Sequence, residues 1–249
     1  MFKNNIIEFS AQEDYFDLKE DYPIPATLNI PEWFKKLNHS ISDRTVKGCM
    51  PFLDALTAGY ILKMPQDLAI KHNVDGENGE KVIAQLSAAA MEPLYAHLKG
   101  CNLNINNLES HPPQQLGECP YHEQNKNMAY HKILNPWTIK TPPGYSCLFL
   151  PIMHNGDDRF FPLAGIVDTD AFPHEINFPI VINGYKYPVL DTVIKKGTPY
   201  VQVVPFKREK WKMTFSKRTT EQLFTSKLNY ALKIIHNYKT RFWNKKSWK

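Results

Sequence analysis

Two aspartates, one residue apart, follow a short apolar run in the stretch GIVDTD, residues 165–170. The apolar run has the composition of a short buried strand, so Asp168 and Asp170 stand where that strand ends. Because successive strand residues face opposite sides, Ile166 and Asp168 point one way and Val167 the other. A carboxylate at the mouth of a sheet can accept a sugar hydroxyl or orient a water. Asp168 is therefore the candidate catalytic residue, and both aspartates are candidate ligand-binding residues. The alternative is a turn, in which both carboxylates face water or accept local backbone amides.

A second group of side chains has the types and spacing of metal ligands. His97 and Cys101 are four residues apart, which would put both on one face of a helix, and Cys119 and His122 form a Cys-x-x-His pair. Thiolate and imidazole together suit zinc, so these four residues predict a structural zinc site. The alternative interpretation is that they are incidental polar residues in a long loop.

Basic residues concentrate at the C-terminus. Residues 207–249 contain 13 Lys/Arg and 2 Asp/Glu, a balance of +11, whereas residues 1–206 contain 17 and 23, a balance of −6. Basic side chains contact phosphates and aromatic side chains stack on bases. We therefore predict that the end of the tail is available to nucleic acid, another polyanion or a partner. The residues that carry this prediction are Arg241, Trp243, Lys245, Lys246 and Trp248.

The same tail has helical periodicity. Apolar residues recur at spacings of four and three, which is one face of a helix; they are Phe224, Leu228, Ala231, Ile235, Tyr238 and Phe242. Thr219 and Gln222 have the spacing of a capping box, so the pattern predicts an amphipathic helix from about residue 220 to 243. We interpret the apolar stripe as packing on the body of the protein or on a neighbouring subunit, while the charges face water.

The elements that position these residues have the composition of strands. Short β-type runs alternate with turn residues, which is typical of a sandwich or barrel of antiparallel strands. The runs cover residues 60–64, 68–71, 81–86, 137–140, 145–150, 165–167, 176–182, 187–192 and 200–205. A short helix around residues 93–99 is the alternative to the run at 81–86. The predicted organisation is an irregular N-terminal clasp (1–49), a β core (50–206) with an inserted loop region at about 74–133, and a basic C-terminal helix and tail (207–249).

Length and composition limit the class of protein. A chain of 249 residues, 43% hydrophobic and 22% charged, is ordinary for one large folded domain, or one domain with an insertion. No apolar run approaches the roughly 18 residues of a membrane helix. The N-terminus has no signal-peptide core. These features predict a cytoplasmic protein without membrane partners, whose four cysteines are reduced.

Four fragments of the core occur in an order that resembles the dUTPase and dCTP-deaminase superfamily. They match its Ala-Gly-Tyr motif, its Pro-x-Gly-Tyr strand entry, its Gly-Val-Ile-Asp-x-Asp motif and its late Gly-x-x-Ile-x-Gln-Leu strand. In this chain they are Ala58–Tyr60, Pro142–Tyr145, Gly165–Asp170 and Gly197–Val203. The resemblance covers roughly residues 50–206. It implies a β-clip fold, a homotrimer, a nucleotide ligand, and ligand contacts by Tyr60 and Gln202 beside the two aspartates.

The chain departs from that family where phosphates are held. The family's aspartate after Ala-Gly-Tyr is Ile61 here, and its Arg-Ser-Ser or Arg-Ser-Gly motif is replaced by residues 151–155. Its sugar-packing tyrosine would fall at Ala171 or Phe172, and a basic helix replaces its glycine-rich arm. Asp168, the nearest match to its water-positioning acid, remains. An acid without a phosphate cradle or a metal is a poor pyrophosphatase.

The whole chain also resembles a family of proteins from tailed phages of marine bacteria, on the stretches PFLDALTAGY and GTP…Q…PFKRE. Together with the observations on the core and the tail, this gives three function classes. The first class is a non-catalytic or degenerate dUTPase-like module that binds a nucleotide or a protein. The second is a nucleotide-processing enzyme with a rebuilt site. The third is a virion or assembly component, in which the tail is a connector. The resemblance implies a location in host cytoplasm or in a virion.

Overall fold

The structure is a computed structural model that describes residues 5–40, 42–43, 45–73, 82–87, 108–125, 130–154, 157–231 and 238–249. Most regular structure in these residues is β, and every strand pairing is antiparallel. The strands in chain order are β1 Glu8–Ser10, β2 Ile24–Pro25, β3 Tyr60–Lys63, β4 Leu68–Asn73, β5 Val82–Ser87, β6 Leu108–His111, β7 Tyr130–Ile133, β8 Thr138–Lys140, β9 Tyr145–Pro151, β10 Phe160–Pro162, β11 Gly165–Val167, β12 Phe178–Ile182, β13 Val189–Ile194 and β14 Pro199–Lys207.

The described strands form four sheets, and the largest is the five-stranded sheet β11-β9-β14-β3-β2. A second sheet has the order β10-β12-β7-β6, a third β13-β4-β5, and β1 pairs with β8 alone. None of these sheets closes on itself across the strands that the structure describes. The prediction of a mainly β, antiparallel fold is therefore confirmed. The sequence predicted a barrel or a sandwich, and the described strands do not form a closed barrel.

Helices are short and lie mainly outside the sheets. They are α1 Glu13–Phe16, α2 Glu32–Lys36, α3 Met50–Thr57, α4 Pro120–Gln124 and α5 Thr220–Ala231, with a π-helical turn at Tyr238–Phe242. Pro51 and Pro120 stand in the first turns of α3 and α4, where the missing N–H costs no intrahelical bond. Among the described helices, none combines the length and the apolar composition that crossing a bilayer requires.

One continuous core joins the five-stranded sheet to its neighbours. Alternate side chains of a strand point to the same face of its sheet. In β9, β12 and β14 the side chains on the inward face are almost fully buried in this core. The largest fully buried side chains of the core include Leu62, Ile139, Phe149, Ile180, Ile182 and Ile194. Tyr15 and Tyr22 from the N-terminal region pack edge-on against Trp137, with ring centroids 5.6 and 5.4 Å away. The N-terminal region is therefore attached to the β body through aromatic contacts.

Gly59 explains why the stretch TAGY contains a glycine. The backbone of Gly59 has φ +69°, and a Cβ built there would lie 1.9 Å from the carbonyl oxygen of Val203. Its own carbonyl accepts a hydrogen bond from the backbone N–H of Ala26, at 2.9 Å. Only a residue without a side chain permits this close approach between the α3–β3 connection and β14. The motif is thus required by the packing of the fold.

Candidate functional site: the Arg208 cluster and the C-terminal arm

Three strand ends meet at Arg208. Strand β9 begins here, β11 ends here, and Arg208 follows the last residue of β14, whose Lys207 is paired with Tyr145. The backbone N–H of Arg208 donates to the carbonyl of Gly144 at 2.8 Å. Gly144 has φ +85°, a conformation that glycine adopts readily in the turn PPGY. The meeting of these ends brings together the stretches PPGY, GIVDTD and PFKRE.

The guanidinium of Arg208 lies between the two aspartates. Its Nη1 donates to Oδ1 of Asp170 at 2.8 Å and lies 3.2 Å from Oδ1 of Asp168, and its Nη2 pairs with Oδ2 of Asp170. The Ser146 hydroxyl donates to Asp168 at 2.7 Å, and the Gly144 N–H donates to Asp170 at 2.8 Å. We call Gly144, Ser146, Asp168, Asp170 and Arg208 the Arg208 cluster. The sequence offered two interpretations of Asp168 and Asp170, a ligand-binding site and a local turn, and Arg208 belongs to neither.

The electrostatics of the cluster argue against acid–base chemistry at Asp170. Hydrogen bonds from Arg208, and next from the Gly144 N–H, lower the pKa of Asp170 to about 2. The same pairing raises the pKa of Arg208. A carboxylate of such low basicity is a weak proton acceptor near neutral pH. Two paired carboxylates around one guanidinium stabilise a joint between strands, and this is the role that the contacts support best.

Residues beside the cluster are bonded to one another inside the fold. The hydroxyls of Thr141 and Thr169 lie 2.7 Å apart, and the Thr169 hydroxyl also lies 3.4 Å from Sγ of Cys147. Burial raises the pKa of the Cys147 thiol to about 11, so this cysteine is a poor nucleophile. The backbone N–H groups of Ala171 and Phe172 both donate to the carbonyl of Asp168. The acids are therefore held on an ordered turn.

Tyr60 lies on the other face of the sheet from the Arg208 cluster. Residues paired across neighbouring strands face the same side of a sheet, and Tyr60 pairs with Val203, which pairs with the buried Phe149. Ser146 is three residues before Phe149 in the same strand, so its side chain faces the opposite side. The Tyr60 ring packs edge-on with Phe9, at 5.5 Å, and burial raises the pKa of its hydroxyl. The structure does not bring Tyr60 and the two aspartates into one pocket.

Gln202 is buried, and its amide is used inside the fold. Its Nε2 donates to the carbonyls of Ala55 and Ala58 at 2.9 and 2.7 Å, and its Oε1 accepts the N–H of Met153 at 3.1 Å. These bonds tie helix α3 and the end of β9 to the middle of β14. The side chain is 1% exposed, so its contacts favour a structural role over the predicted ligand contact.

The predicted zinc ligands are only partly within the described residues. Cys119 directly precedes α4 and His122 lies within it. Nδ1 of His122 lies 3.3 Å from the hydroxyl of Tyr130. His97 and Cys101 lie outside the described residues. Within the described ranges, no three metal-ligating side chains come together. The four-ligand zinc site stays a prediction.

Beyond Arg208 the chain leaves the body as an exposed segment. Every residue from 206 to 228 is exposed, and residues 208–219 form neither helix nor strand. Trp211, Met213 and Phe215 are 88, 78 and 87% exposed. We call residues 209–228 the arm. Its helix α5 begins with the expected capping box, because Thr219 and Gln222 exchange two bonds of 3.0 and 3.2 Å.

Four of the six residues of the predicted apolar stripe are exposed: Phe224, Leu228, Tyr238 and Phe242 are 65, 44, 47 and 60% exposed. At these four positions the stripe is not buried on the described body of its own chain. Contact with a neighbouring subunit is the other part of the sequence interpretation and stays a prediction. The predicted helix was to extend to residue 243, but residues 232–237 of that range lie outside the described residues.

The C-terminal residues return to the body. The indole N–H of Trp243 and the ammonium of Lys246 both donate to Oδ2 of Asp54 in α3, at 2.9 and 2.6 Å. The hydroxyl of Tyr60 donates to the carbonyl of Lys249 at 3.2 Å, and Trp248 lies edge-on to Tyr60 at 6.4 Å. Three of the five predicted tail residues therefore contact the body, whereas Arg241 and Lys245 are exposed. The most exposed aromatic residues of the described chain lie earlier, at Trp211 and Phe215.

Sequence reasoning overlooked Arg208 as the partner of the two aspartates. It also named only the last residues as available to a partner and did not single out Trp211, Met213 and Phe215, which are more exposed. A signal for the second was present, since apolar and polar residues alternate in KWKMTF, residues 210–215, as in a half-buried strand. Comparison with protein-family models gives no match for this chain, and a search of curated proteins gives no similar one.

Proposed function

We propose that the chain is a non-catalytic module that binds a protein partner through its C-terminal arm. The proposal keeps the β-clip resemblance as a scaffold and assigns the arm the role of a connector. This role suits the assembly component that the phage resemblance implies, in a virion or in host cytoplasm. The carrying observation is the exposure of Trp211, Met213 and Phe215, at 88, 78 and 87%.

Apolar side chains in this pattern need a surface to cover them. Large apolar groups exposed together mark interaction sites, because their transfer out of water is favourable. Trp211, Met213 and Phe215 alternate with Lys210 and Lys212, as along a strand with one buried face. The described chain gives this segment no strand partner. A strand pattern without a sheet is typical of β-augmentation, in which the strand adds to a sheet of another chain.

The alternation also favours a protein over a nucleic acid. In an extended segment, Lys210 and Lys212 lie on the side opposite to Trp211 and Met213. Binding to a single-stranded nucleic acid uses cations and stacking rings on one groove-facing surface. Separate basic and apolar sides instead suit a strand whose apolar side is buried by protein while its lysines remain at the rim.

The Arg208 cluster supports the non-catalytic part of the proposal. Asp170 has a pKa of about 2, and Asp168 accepts a hydrogen bond from Ser146 and lies beside Arg208. The cluster joins three strand ends, which gives both acids a structural reason to be present. A nucleotide-binding module and an enzyme with a rebuilt site are the alternatives. Both need Asp168 to contact a ligand.

The test is a site-specific photo-crosslink from the arm. A benzophenone amino acid is placed at Phe215, on the apolar side of the strand pattern, and separately at Ser216, on the other side. Cells that make the full chain are irradiated, and the adducts are separated by mass. We expect protein adducts from position 215 and several-fold fewer from the control position 216.

Two results would overturn the proposal. Adducts with nucleic acid and not with protein would assign the arm to a polyanion. A nucleotide that binds the purified chain in native mass spectrometry, and that loses affinity in Asp168→Asn while the fold stays intact, would assign the function to the Arg208 cluster. We expect that no nucleotide binds the purified chain.

A further inference from the structure

We infer that the partner of the arm is a second copy of this chain, and that the arm docks on the N-terminal region, residues 5–33, of that copy. This inference rests on the proposed function, since it names the protein that the arm binds. Each copy then donates one arm and accepts another. Three observations identify this partner: the opposite charges of the arm and of residues 5–33, the exposed apolar residues on both, and the free edge of a strand in residues 5–33.

The two surfaces carry opposite charge. Residues 207–218 contain six Lys/Arg and one glutamate, a balance of +5, whereas residues 5–33 contain seven Asp/Glu and one lysine, a balance of −6. The rest of residues 1–206 has 16 basic and 16 acidic residues, so the net negative charge of the body comes from this region alone. A basic arm is therefore steered toward the N-terminal region of whichever copy it meets.

Apolar side chains are exposed on the acceptor as well as on the arm. Ile6, Phe16 and Leu28 are 72, 48 and 69% exposed. The exposed acids Glu13 and Asp17 flank Phe16 in helix α1 and at its end. A region that exposes both apolar residues and acids matches a strand with one apolar and one basic side.

The acceptor also offers a strand edge. Strand β1, Glu8–Ser10, pairs with β8 on one side, and no other described strand pairs with it. The Phe9 side chain points inward, where it packs on Tyr60. The side chains of Glu8 and Ser10 are exposed. An added strand on this edge would place its basic residues beside Glu8 and satisfy the open backbone groups of β1.

The arm does not cover these groups in its own chain, so the surface that covers them belongs to another molecule, and the opposite charges of residues 207–218 and 5–33 assign it to a second copy. The 78–88% exposure of Trp211, Met213 and Phe215 leaves almost no contact with their own body. The chain is bonded to the body before the arm, at Arg208, and contacts it again at Trp243. Aromatic side chains bury roughly 150–250 Å² each, so four arm aromatics in a reciprocal pair remove roughly 600–1,000 Å² from water. This amount is of the order that one side of a stable interface buries.

The first experiment measures self-association of the full chain by sedimentation across protein concentration. The test variant is Trp211→Ser with Met213→Ser and Phe215→Ser, and its control is Lys227→Ser with Thr225→Ala, two changes on exposed polar positions of α5. We expect the wild type and the control to associate. The test variant should associate about 100-fold more weakly, because buried aromatic anchors dominate interface energies. A wild type that is monomeric at all concentrations would overturn the inference.

A charge exchange then identifies the acceptor. Lys210→Glu with Lys212→Glu lowers the charge of residues 207–218 from +5 to +1, and Glu13→Lys with Asp17→Lys lowers the negative charge of residues 5–33 from −6 to −2, so each should weaken association. Mixing these two variants brings the unchanged arm of one together with the unchanged acceptor of the other, so the mixture should associate at least tenfold more tightly than either alone. A mixture no tighter than its components would overturn the assignment to residues 5–33.

The crosslink at position 215 separates this inference from the proposed function. In purified protein, equal amounts of isotopically light and heavy chain are mixed before irradiation. Adducts that join a light arm to heavy residues 5–33 support the inference, in a dimer or in a trimer. If the purified chain gives none, but cells give an adduct with a different protein, the second-copy inference is wrong and the proposed function stands. If neither gives a protein adduct, both are wrong.

Discussion

Tyr200 and Trp211 lie only eleven residues apart and have opposite environments. Tyr200, in β14, is 2% exposed, whereas Trp211, in the arm, is 88% exposed. Both belong to alternating apolar patterns, and both have the composition of a strand. The difference is that β14 has β3 and β9 on its two sides, while the described chain gives the arm no neighbouring strand. The boundary between the two regions is Arg208.

The comparison teaches that an alternating pattern favours a strand but does not form one without neighbours, since residues 208–219 are neither strand nor helix. In the body, the partners of an apolar face are supplied by the same chain, and burial stabilises the fold. In the arm, the same chemistry remains in water until another surface covers it. Changes in the body should therefore alter folding, and changes in the arm should alter association. The experiments below test this separation.

A large loss of stability is expected from Gly59→Ala. The new Cβ would lie 1.9 Å from the Val203 carbonyl oxygen, on a residue whose φ is +69°. We expect the free energy of unfolding to fall by roughly 3 kcal/mol, because the clash and the left-handed backbone both oppose the change. Urea unfolding measures it. The control is Gly165→Ala, where nothing lies within 4 Å of the added Cβ and φ is not positive. Equal effects at the two glycines would contradict the close approach described for TAGY.

The next effect is expected from Gln202→Met. This change keeps the length of the side chain but removes three hydrogen bonds, leaving the carbonyls of Ala55 and Ala58 and the N–H of Met153 without them. Buried polar groups that lose their partners destabilise, so we expect a loss of about 1–3 kcal/mol in urea unfolding. Gln12→Met, at an exposed position, is the control and should have almost no effect. An unchanged stability in Gln202→Met would reopen a ligand role for this residue.

A smaller and more local effect is expected from Arg208→Gln at the boundary. The variant removes the first cause of the low pKa of Asp170, so that pKa should rise from about 2 toward its ordinary value of 3.8. Because the pKa is lower in the folded state, the stability that Asp170 contributes is present above about pH 4. It is lost as the pH falls toward 2. Carbon-detected NMR titration of the Asp170 carboxyl measures the pKa. Lys210→Gln, in the arm, should leave it unchanged.

The smallest effect on folding is expected from Phe215→Ser. The side chain is 87% exposed, so its removal takes almost no buried area from the folded monomer. At high dilution, unfolding should be within about 0.5 kcal/mol of the wild type. Phe149→Ala is the matched body variant, since Phe149 is 2% exposed, and it should cost about 3–5 kcal/mol. A large loss in the dilute Phe215 variant would show that the arm folds against its own body.

The strands were the most predictable part of this protein. Alternation and turn residues predicted the bounds of β11, Gly165–Val167, and located β9 and β14 to within two residues. The predicted burial of β11 is wrong, because it lies at the edge of its sheet and Ile166 is 63% exposed. Helix α3, Met50–Thr57, was not predicted, because Pro51 and Gly59 interrupt this stretch. Pro51 instead lies in the first turn of the helix, where proline is accepted.

The candidate site was predictable only in its parts. The sequence identified Asp168 and Asp170 as acids at a strand end, which is where they lie. Their partner Arg208 is 38 residues after Asp170 and was counted among the basic residues of the tail. An ion pair of this kind depends on which strand ends meet, and periodicity along one strand carries no information about that.

The sequence by itself determined the mainly β character, the antiparallel strands and the charge asymmetry between body and tail. These properties are local, since alternation and turn residues act within a few positions and charge adds along the chain. Tertiary structure alone decided that Arg208 joins the two aspartates, that Tyr60 lies on the opposite face from them, and that Trp211 is exposed while Tyr200 is buried. Those outcomes depend on sheet order and register, which bring together residues far apart in the chain, and burial follows from what lies on the facing side.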